Sequence, residues 1–337
     1  MHLTLMLPGS LVPADIAAEL IAALRAPGLA RLLERAAPAE TSTSPQDGAE
    51  STWIARHVFG VSGPAPTAPY AWAALTGVAD TTRVIWHADP VHIEVGRDSL
   101  IVRGLDDASP DEAEADALIA AANETLAEAR CELRRAGSQW FLHTDRAWSF
   151  RPPPLSEVVG QPFSPARSDE RDAMHWSRLH NAIQMSWHTD PVNEAREECG
   201  LPPINALWLH GGGVWRALHR LRWPRVHSER AELHGAGTAA GSTPARVTET
   251  VSGDALLVWD DALPAERRHD WRAWLESMSA IDRRLATLPS YQMLELVLAG
   301  RRQVRSWIAQ PSDRLKFWRS TSLAEAMTEA KAEAPSA

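Results

Sequence analysis

Histidine and carboxylate residues recur in three short segments that could supply ligands for a metal ion. His87 and His92 flank "ADPV", and "HTD" occurs at both His143–Asp145 and His188–Asp190. None of these spacings matches a compact ligand pattern such as two histidines one helical turn apart. In a regular strand His87 and His92 would also point to opposite faces of the sheet. The spacing therefore favours turns that lead into strands over a histidine metal site.

Residues that directly follow apolar, strand-like runs offer a second kind of chemistry. Gly211–Gly213 follow the run Ile204–Leu209, and Asp260 and Asp261 follow Ala255–Val258. Open α/β sheets bind ligands at such strand ends, where glycines let backbone N–H groups approach an anion. The glycines lack P-loop and dinucleotide-binding spacing, and the chain has no G-x-S-x-G elbow to accompany an esterase-like "HGGG". A phosphate loop and a tight turn both stay open, as do a carboxylate site and a simple loop start at Asp260.

Two basic and aromatic stretches could contact nucleic acid. Arg216–Arg225 includes Trp223 and follows Trp215, and Arg301–Arg319 includes Trp307 and Trp318. Arginine can hold phosphates and tryptophan can stack on bases. The net charge of −9 argues against a general nucleic-acid-binding protein, and a solvated helix face explains most such runs.

The elements that must position these residues alternate between strands and helices along most of the chain. Leu3–Leu7, Ala255–Val258 and Met293–Leu298 are predicted as buried strands, which indicates a layered α/β fold. A helix capped by Ser109 lies in a portion with the pattern of a small α+β insert. We predict a surface loop over residues 37–48 and an irregular segment over residues 230–246.

Composition and length limit the class of protein. The 337 residues suffice for one large or two coupled domains, and 45% of them are hydrophobic. Cys131 and Cys199 are the two cysteines, which excludes a disulfide framework and a cysteine zinc site. Because the sequence lacks a signal-peptide pattern and a run long enough to span a bilayer, we expect a cytoplasmic protein without membrane contact.

The segment "DPVNEAREECGLPPINALWLHGGG", Asp190–Gly213, resembles a segment of the archaeal-type cofactor-independent phosphoglycerate mutases. That segment reads roughly H-P-V-N-x-x-R…G-L-P-P-A-N-x-x-L-x-x-G-x-G. "ADPVHIEVGRD" (Ala88–Asp98) and "NAIQM" (Asn181–Met185) resemble, more closely, a bacterial family of mutase-like proteins known as RpfE-type regulatory proteins. The resemblance implies the fold of the alkaline phosphatase superfamily, a layered α/β/α core with a small inserted α+β domain. We place the core at residues 1–85 and 186–325, the insert at 86–185, and a frayed tail at 326–337.

The resemblance also implies two divalent metal ions and a serine nucleophile, and here the sequence departs from the family. The first strand should end in a metal-binding Asp-Gly, but it ends in Pro8-Gly9. After the last predicted strand, Ala299-Gly300 stands where the family has Asp-His. Proline, alanine and glycine side chains supply no metal ligand.

Two further positions of the family pattern are only partly kept. The Asp-x-x-Gly-His motif is replaced by "DDALPAERRHD", which retains Asp260 or Asp261 but has its histidine, His269, well downstream. Ser51 stands near the nucleophile position, with Glu50 and Thr52 in place of the flanking glycine and aspartate. A serine without metal ions has no cation to lower its pKa or to neutralise a transferred phosphoryl group.

We therefore predict a catalytically degenerate phosphoglycerate mutase-like protein with a regulatory or ligand-binding role and no cofactor. The expected ligand is a phosphorylated or anionic small molecule, or a protein partner, in a cleft between core and insert. The predicted ligand-binding residues are Asp190, Asn193, Arg196, Asn205, His210, Gly211, Gly212 and Gly213. The same residues could instead form a structural clamp, in which Asn caps a helix and Arg bridges backbone carbonyl groups.

Two other functions stay open from the sequence. The first is a metal-dependent phosphatase or phosphoglycerate mutase whose Mn²⁺ or Mg²⁺ site is rebuilt from Asp260, Asp261 and His269, with Ser51 as the candidate nucleophile. The second is a protein- or nucleic-acid-interaction module that uses the Arg/Trp stretches.

Overall fold

The computed structural model describes residues 1–44, 48–95, 100–105, 108–160, 162–163, 171–315 and 319–330. These residues form two compact units. Unit 1 consists of residues 1–63 and 218–337, and unit 2 of residues 64–217.

The secondary structure of the described residues alternates between the two element types. The strands are β1 (His2–Pro8), β2 (Ala37–Thr43), β3 (Val84–Val95), β4 (Leu100–Arg103), β5 (Cys131–Ala136), β6 (Gln139–Thr144), β7 (Pro162–Phe163), β8 (Ala206–Gly213), β9 (Arg225–His227), β10 (Thr243–Ala245), β11 (Ala255–Val258), β12 (Met293–Ala299) and β13 (Gln303–Ala309). The helices are α1 (Ala17–Ala23), α2 (Pro27–Arg35), α3 (Ala49–Ile54), α4 (Thr67–Thr76), α5 (Glu112–Leu126), α6 (Leu155–Val158), α7 (Arg171–His188), α8 (Pro191–Glu198), α9 (Ala231–Ala239), α10 (Leu263–Arg267), α11 (Trp271–Leu285) and α12 (Leu323–Met327). A π-helix, Ala55–Phe59, continues α3.

Unit 1 is built on a seven-stranded sheet in the order β10-β9-β11-β1-β12-β13-β2. The strands from β10 to β12 are parallel, and β13 and β2 are antiparallel to their neighbours. The central strands are mostly apolar because both of their faces are covered, as is usual for parallel sheets. Leu5, Leu296, Trp274 and Met278 belong to the apolar core on one face. The predicted mixed α/β class, with a central sheet and packed helices, is confirmed.

Two segments of unit 1 differ from the sequence-based predictions. The predicted surface loop at residues 37–48 contains β2, an edge strand that pairs with β13 while most of its side chains stay exposed. Polar residues suit such an edge, which is why the composition resembled that of a loop. The predicted irregular segment at 230–246 contains α9 and β10. A Cβ atom at Gly237 would already contact Val226, so small residues let this helix pack closely on β9.

Unit 2 contains a mostly antiparallel sheet in the order β5-β6-β3-β4-β7, and β8 also pairs with β3. Buried indoles of Trp86, Trp140 and Trp187 form much of the apolar core on one face. Helix α5 begins after Asp111, whose carboxylate accepts a hydrogen bond from the N–H of Glu114 in a capping box. Asp111, rather than the predicted Ser109, is therefore the N-cap.

The boundaries of unit 2 lie outside the predicted insert limits of 86 and 185. Helix α4 precedes the insert in sequence and packs on β3 and β8. Strand β8 follows the predicted insert and pairs with β3 from Ile85 to Val91. Helix α4 and strand β8 therefore both belong to unit 2. Of the predicted tail, Ala326 and Met327 are buried, and residues 331–337 lie outside the described residues.

None of the helices in the described ranges combines the length and the apolar character needed to cross a membrane.

Candidate functional site

Six charged side chains meet in unit 1 beyond the C-terminal ends of the parallel strands. Arg230 follows β9, Asp260 follows β11 and Arg301 follows β12, while the remaining members lie on helices α3 and α10. Because these strands are parallel, their C-terminal ends lie at one edge of the sheet, the usual ligand edge of an α/β fold. We call Glu50, Arg230, Asp260, Glu266, Arg267 and Arg301 the arginine–carboxylate cluster.

Arg230 joins two carboxylates of this cluster. Its Nε lies 3.0 Å from each carboxylate oxygen of Asp260, and its terminal nitrogen NH2 lies 2.7 Å from Oε1 of Glu50. Glu50 is only 6% exposed. Burial alone would lower the pKa of the Arg230 guanidinium, but the charges of Glu50 and Asp260 raise it well above its ordinary value. Arg230 is therefore a fixed cation between two anions.

Glu266 is the centre of the other half of the cluster. It is 2% exposed, and its Oε1 accepts a hydrogen bond of 2.8 Å from Nε of Arg301. Arg267 lies between Glu266 and Glu50, at 3.6 Å and 3.9 Å. Three guanidinium groups thus face three carboxylates, and their formal charges cancel. Buried carboxylates require such partners, since an unpaired buried charge strongly destabilises the folded state.

The residues predicted for a rebuilt metal site turn to different partners. Asp260 binds Arg230, whereas Asp261 lies 3.7 Å from a guanidinium nitrogen of Arg284. His269 is exposed at a left-handed backbone position (φ 55°), and its ring faces Trp271. Within the described ranges no group of three His, Cys, Asp or Glu side chains is arranged to hold a metal ion.

Ser51, the candidate nucleophile, lies on α3 directly after Glu50. It is partly buried, and the π-helix begins four residues later. The structure therefore places Ser51 beside a cluster member.

In unit 2, the predicted ligand residues at the start of α8 are bound to the protein itself. Asp190 caps α8 through a hydrogen bond from the N–H of Val192. The amide of Asn193 donates to the carbonyl groups of Trp187 and Ile204 and accepts from the N–H of Ile204. The Asn193 side chain therefore ties the end of α7 to the chain that leads into β8. Asp190, and not an asparagine, is the cap.

Arg196, a buried residue of the same helix α8, completes this arrangement. It is 2% exposed and donates to the carbonyl groups of Pro202 and Ala108. Its NH1 also lies 2.9 Å from Oε2 of Glu114, the capping-box residue of α5. All of these partners are within the protein, so the geometry of Arg196 is that of the clamp.

Asn205 and the three glycines also have structural partners. Asn205 accepts from the N–H of Ile93 and donates to its carbonyl group, so its side chain extends the strand pairing. The glycines belong to β8 and form neither a loop nor a tight turn. Added Cβ atoms at Gly211, Gly212 and Gly213 would overlap Thr67, Trp86 and Pro66, respectively. The glycines permit close packing against β3 and the residues around the start of α4.

His210, the histidine of the predicted set, pairs with a carboxylate and stacks on a second histidine. Its Nε2 lies 2.8 Å from Oδ2 of Asp89, and its ring stacks on His87 at 4.6 Å. Burial, followed by the charge of His210, lowers the pKa of His87 to about 3. Burial would raise the pKa of Asp89, but His210 holds it below its ordinary value. At neutral pH, His87 is therefore neutral and Asp89 is ionised.

Members of the other histidine segments and of the Arg/Trp stretches make packing contacts. His143 is 1% exposed and its ring meets the edge of Trp72, while Nδ1 of His92 lies 2.8 Å from the carbonyl oxygen of Pro203. Trp223 is buried and donates to Oγ1 of Thr4, and Trp307 is also buried. Trp318 lies outside the described residues.

The sequence did not reveal most of the arginine–carboxylate cluster. The signal that singled out Asp260, a charged residue just after a buried strand, also applies to Arg230 and Arg301. Glu266 and Arg267 carry no such signal, because they lie on a short helix whose position depends on the tertiary fold.

No protein-family model and no curated protein sequence matches this chain. Among solved structures, the chain is similar to the PH0037 protein from Pyrococcus horikoshii, with 13% identity, a TM-score of 0.58, and coverage of 97% of this chain and 91% of that one. It is also similar to the cofactor-independent phosphoglycerate mutase from Thermoplasma acidophilum DSM 1728, with 14% identity, a TM-score of 0.44, and coverage of 98% and 95%. At this identity, the likeness to PH0037 shows a shared fold.

The clamp in unit 2 predicts a large effect on stability. We expect Asn193→Leu and Arg196→Met each to lower the free energy of unfolding by about 2–5 kcal/mol, because buried partners lose their hydrogen bonds or charge. Equilibrium denaturant unfolding measures this, with the exposed α8 residue changed in Glu197→Gln as the control. Unfolding midpoints equal to that of the unmodified protein would instead favour a ligand-binding role.

Burial of neutral His143 predicts a dependence of stability on pH. Burial, followed by the charges of Arg134 and Arg83, lowers the pKa of His143 to about 4, against about 6.5 in an unfolded chain. Between these values the unfolded chain binds more protons, so stability falls as the pH falls, by up to about 1.4 kcal/mol per pH unit.

We expect His143→Phe to remove this contribution from the slope of unfolding free energy against pH between those two values. Replacement of His143 by phenylalanine breaks no hydrogen bond, since neither ring nitrogen of His143 has a partner among the described residues. The exposed His188→Phe is the control. Equal slopes for His143→Phe and the unmodified protein would show that His143 is not held neutral.

Proposed function

We propose that this chain is a phosphoglycerate mutase-like protein that has lost phosphoryl transfer and acts by binding, in a regulatory role. The observation that carries the proposal is the pairing of Glu50 and Asp260 with Arg230 at the ligand edge of the sheet. The resemblance of the Asp190–Gly213 segment to the mutases supports the family assignment. A location in the cytoplasm is part of the same proposal.

The residues at this edge do not fit a pair of divalent metal ions. Such ions need several oxygen or nitrogen ligands that converge on one point, and they stabilise transferred phosphoryl groups only when held there. Here Asp260 and Glu50 are engaged by the guanidinium group of Arg230, while Asp261 and His269 turn elsewhere. A cation would have to displace Arg230, whose charge is already balanced. We therefore derive no catalytic step through a metal ion.

The proposed ligand is an anionic or phosphorylated small molecule or a protein partner, and no cofactor is required. We assign the contact in unit 2 to His210 and Asp89, because both side chains are partly exposed and present a polar pair to a ligand. Asn205 would hold the chain that enters β8 against β3, and these two strands carry His210 and Asp89. Asn193 and Arg196 would fix α8 and the segment that leads into β8.

The decisive test of lost catalysis is turnover. With purified protein and added Mn²⁺ or Mg²⁺, we expect no phosphoglycerate isomerisation and no phosphate-ester hydrolysis above the buffer rate, since no cation site is formed. Ser51→Ala should then give the same trace as the unmodified protein. Metal-dependent turnover that Ser51→Ala abolishes would overturn the proposal and establish the metalloenzyme alternative.

A further inference from the structure

A cleft of about 530 Å³ lies at the opposite edge of the unit 1 sheet from the arginine–carboxylate cluster. It is bounded by α2, α11 and the residues that follow β13. The cleft lies at the N-terminal ends of β12 and β2, because Tyr291 precedes β12 and Ala36 precedes β2. The cleft is thus independent of the site proposed above, and its volume is in the range of small-molecule sites.

The walls of the cleft combine apolar surface with positive charge. Leu32, Leu285 and the ring of Tyr291 are partly buried and pack on the apolar core. Arg31 and Arg283 line the same cleft and are exposed. Within the described part of the chain, neither guanidinium group makes a hydrogen bond or ion pair. Both can therefore bind a ligand without breaking a contact of the protein.

The two carboxylates of the cleft are already engaged by the protein. Oδ1 of Asp282 accepts a hydrogen bond of 2.6 Å from the N–H of Leu29 at the start of α2. Oδ2 of Asp313 accepts from the N–H of Gln310, and Oδ1 lies 3.6 Å from NH1 of Arg319. Three arginines against two carboxylates leave the lining of the cleft with a net positive charge, in a chain whose net charge is −9. An anion is the complementary charge.

The Tyr291 hydroxyl adds a neutral donor. Burial, followed by the charge of Asp313, raises the pKa of Tyr291, so the hydroxyl keeps its proton at neutral pH. Its oxygen makes no hydrogen bond to another described residue. Guanidinium groups bind carboxylate and phosphate through charge-assisted hydrogen bonds, and an apolar wall favours a ligand with an apolar body.

We infer that this cleft is a binding site for a small organic anion, a carboxylate or phosphate ester with an apolar body, held by Arg31, Arg283 and the hydroxyl of Tyr291. The inference does not depend on the proposed function, because it concerns the other edge of the sheet and no turnover.

Ligand-observed fluorine NMR with the full chain tests this inference. The probes are para-fluorophenyl phosphate and para-fluorobenzoate, which distinguish the two sources of negative charge, and neutral para-fluorobenzyl alcohol. We expect at least one anion to show saturable line broadening. The alcohol should bind at least about tenfold more weakly, because it cannot form the charge-assisted hydrogen bonds.

Variants locate the site. Arg31→Gln combined with Arg283→Gln should weaken anion binding by about tenfold or more, and Tyr291→Phe by a smaller factor. Arg272→Gln is the matched control, because Arg272 is on the same helix α11 but its side chain is 93% exposed and outside the cleft. An unchanged unfolding temperature shows that each variant is folded.

Two outcomes overturn the inference. One is the absence of broadening by either anion with the unmodified protein at millimolar ligand. The other is equal binding by the double arginine variant and the Arg272→Gln control, which would mean that the anion binds elsewhere.

Discussion

Two carboxylates, Glu50 and Asp260, meet beyond the ends of the parallel strands of unit 1, and their charge must be neutralised for the fold to form there. The partly exposed guanidinium of Arg230 supplies that charge, and Arg267 and Arg301 do the same for Glu266. In a metal-dependent phosphoryl-transfer protein, divalent cations would compensate carboxylates at such an edge. The arginines therefore satisfy the electrostatic requirement of the fold without supplying a Lewis acid, a metal-activated nucleophile or an open coordination position.

A related principle accounts for the segment that most resembles the mutases. Asn193 and Arg196 bind carbonyl groups of the protein, and Gly212 leaves room for the indole of Trp86. These residue types are required by the packing of α8, β8 and β3, whether or not a reaction takes place. Packing alone can therefore explain the residue types of this mutase-like segment, because the segment builds the unit that carries it.

The sequence predicted local structure well where one physical factor dominates. The strand Ala255–Val258 has the predicted bounds because a strand buried on both faces is a continuous apolar run. Helix α8 also obeys local preferences, because the carboxylate of Asp190 caps its start and Gly200, after its end, has a positive φ of 73°. The strand β2 was missed because its edge position leaves it polar.

The sites were harder to predict because their partners are far apart in sequence. Asp260 was identified as a residue at a strand end, but its partner Arg230 is 30 positions away and belongs to a segment that we predicted as irregular. His87 and His210 become neighbours only through the pairing of β3 with β8. The triple glycine suggested an anion loop, whereas the contacts that explain it, with Trp86, Thr67 and Pro66, come from tertiary packing.

If Arg230 occupies the electrostatic position of a metal cation, the unmodified protein should not bind Mn²⁺. Titration with Mn²⁺, with free Mn²⁺ measured by electron paramagnetic resonance, tests this. We expect the unmodified protein to leave the free Mn²⁺ signal unchanged. Arg230→Met removes the partner of Asp260 and leaves Glu50 with Arg267 at 3.9 Å, and it should reduce that signal, because carboxylates are hard oxygen ligands. Arg246→Met, which removes an exposed ion pair with Glu229, is the control and should not. Stoichiometric Mn²⁺ binding by the unmodified protein would contradict the account.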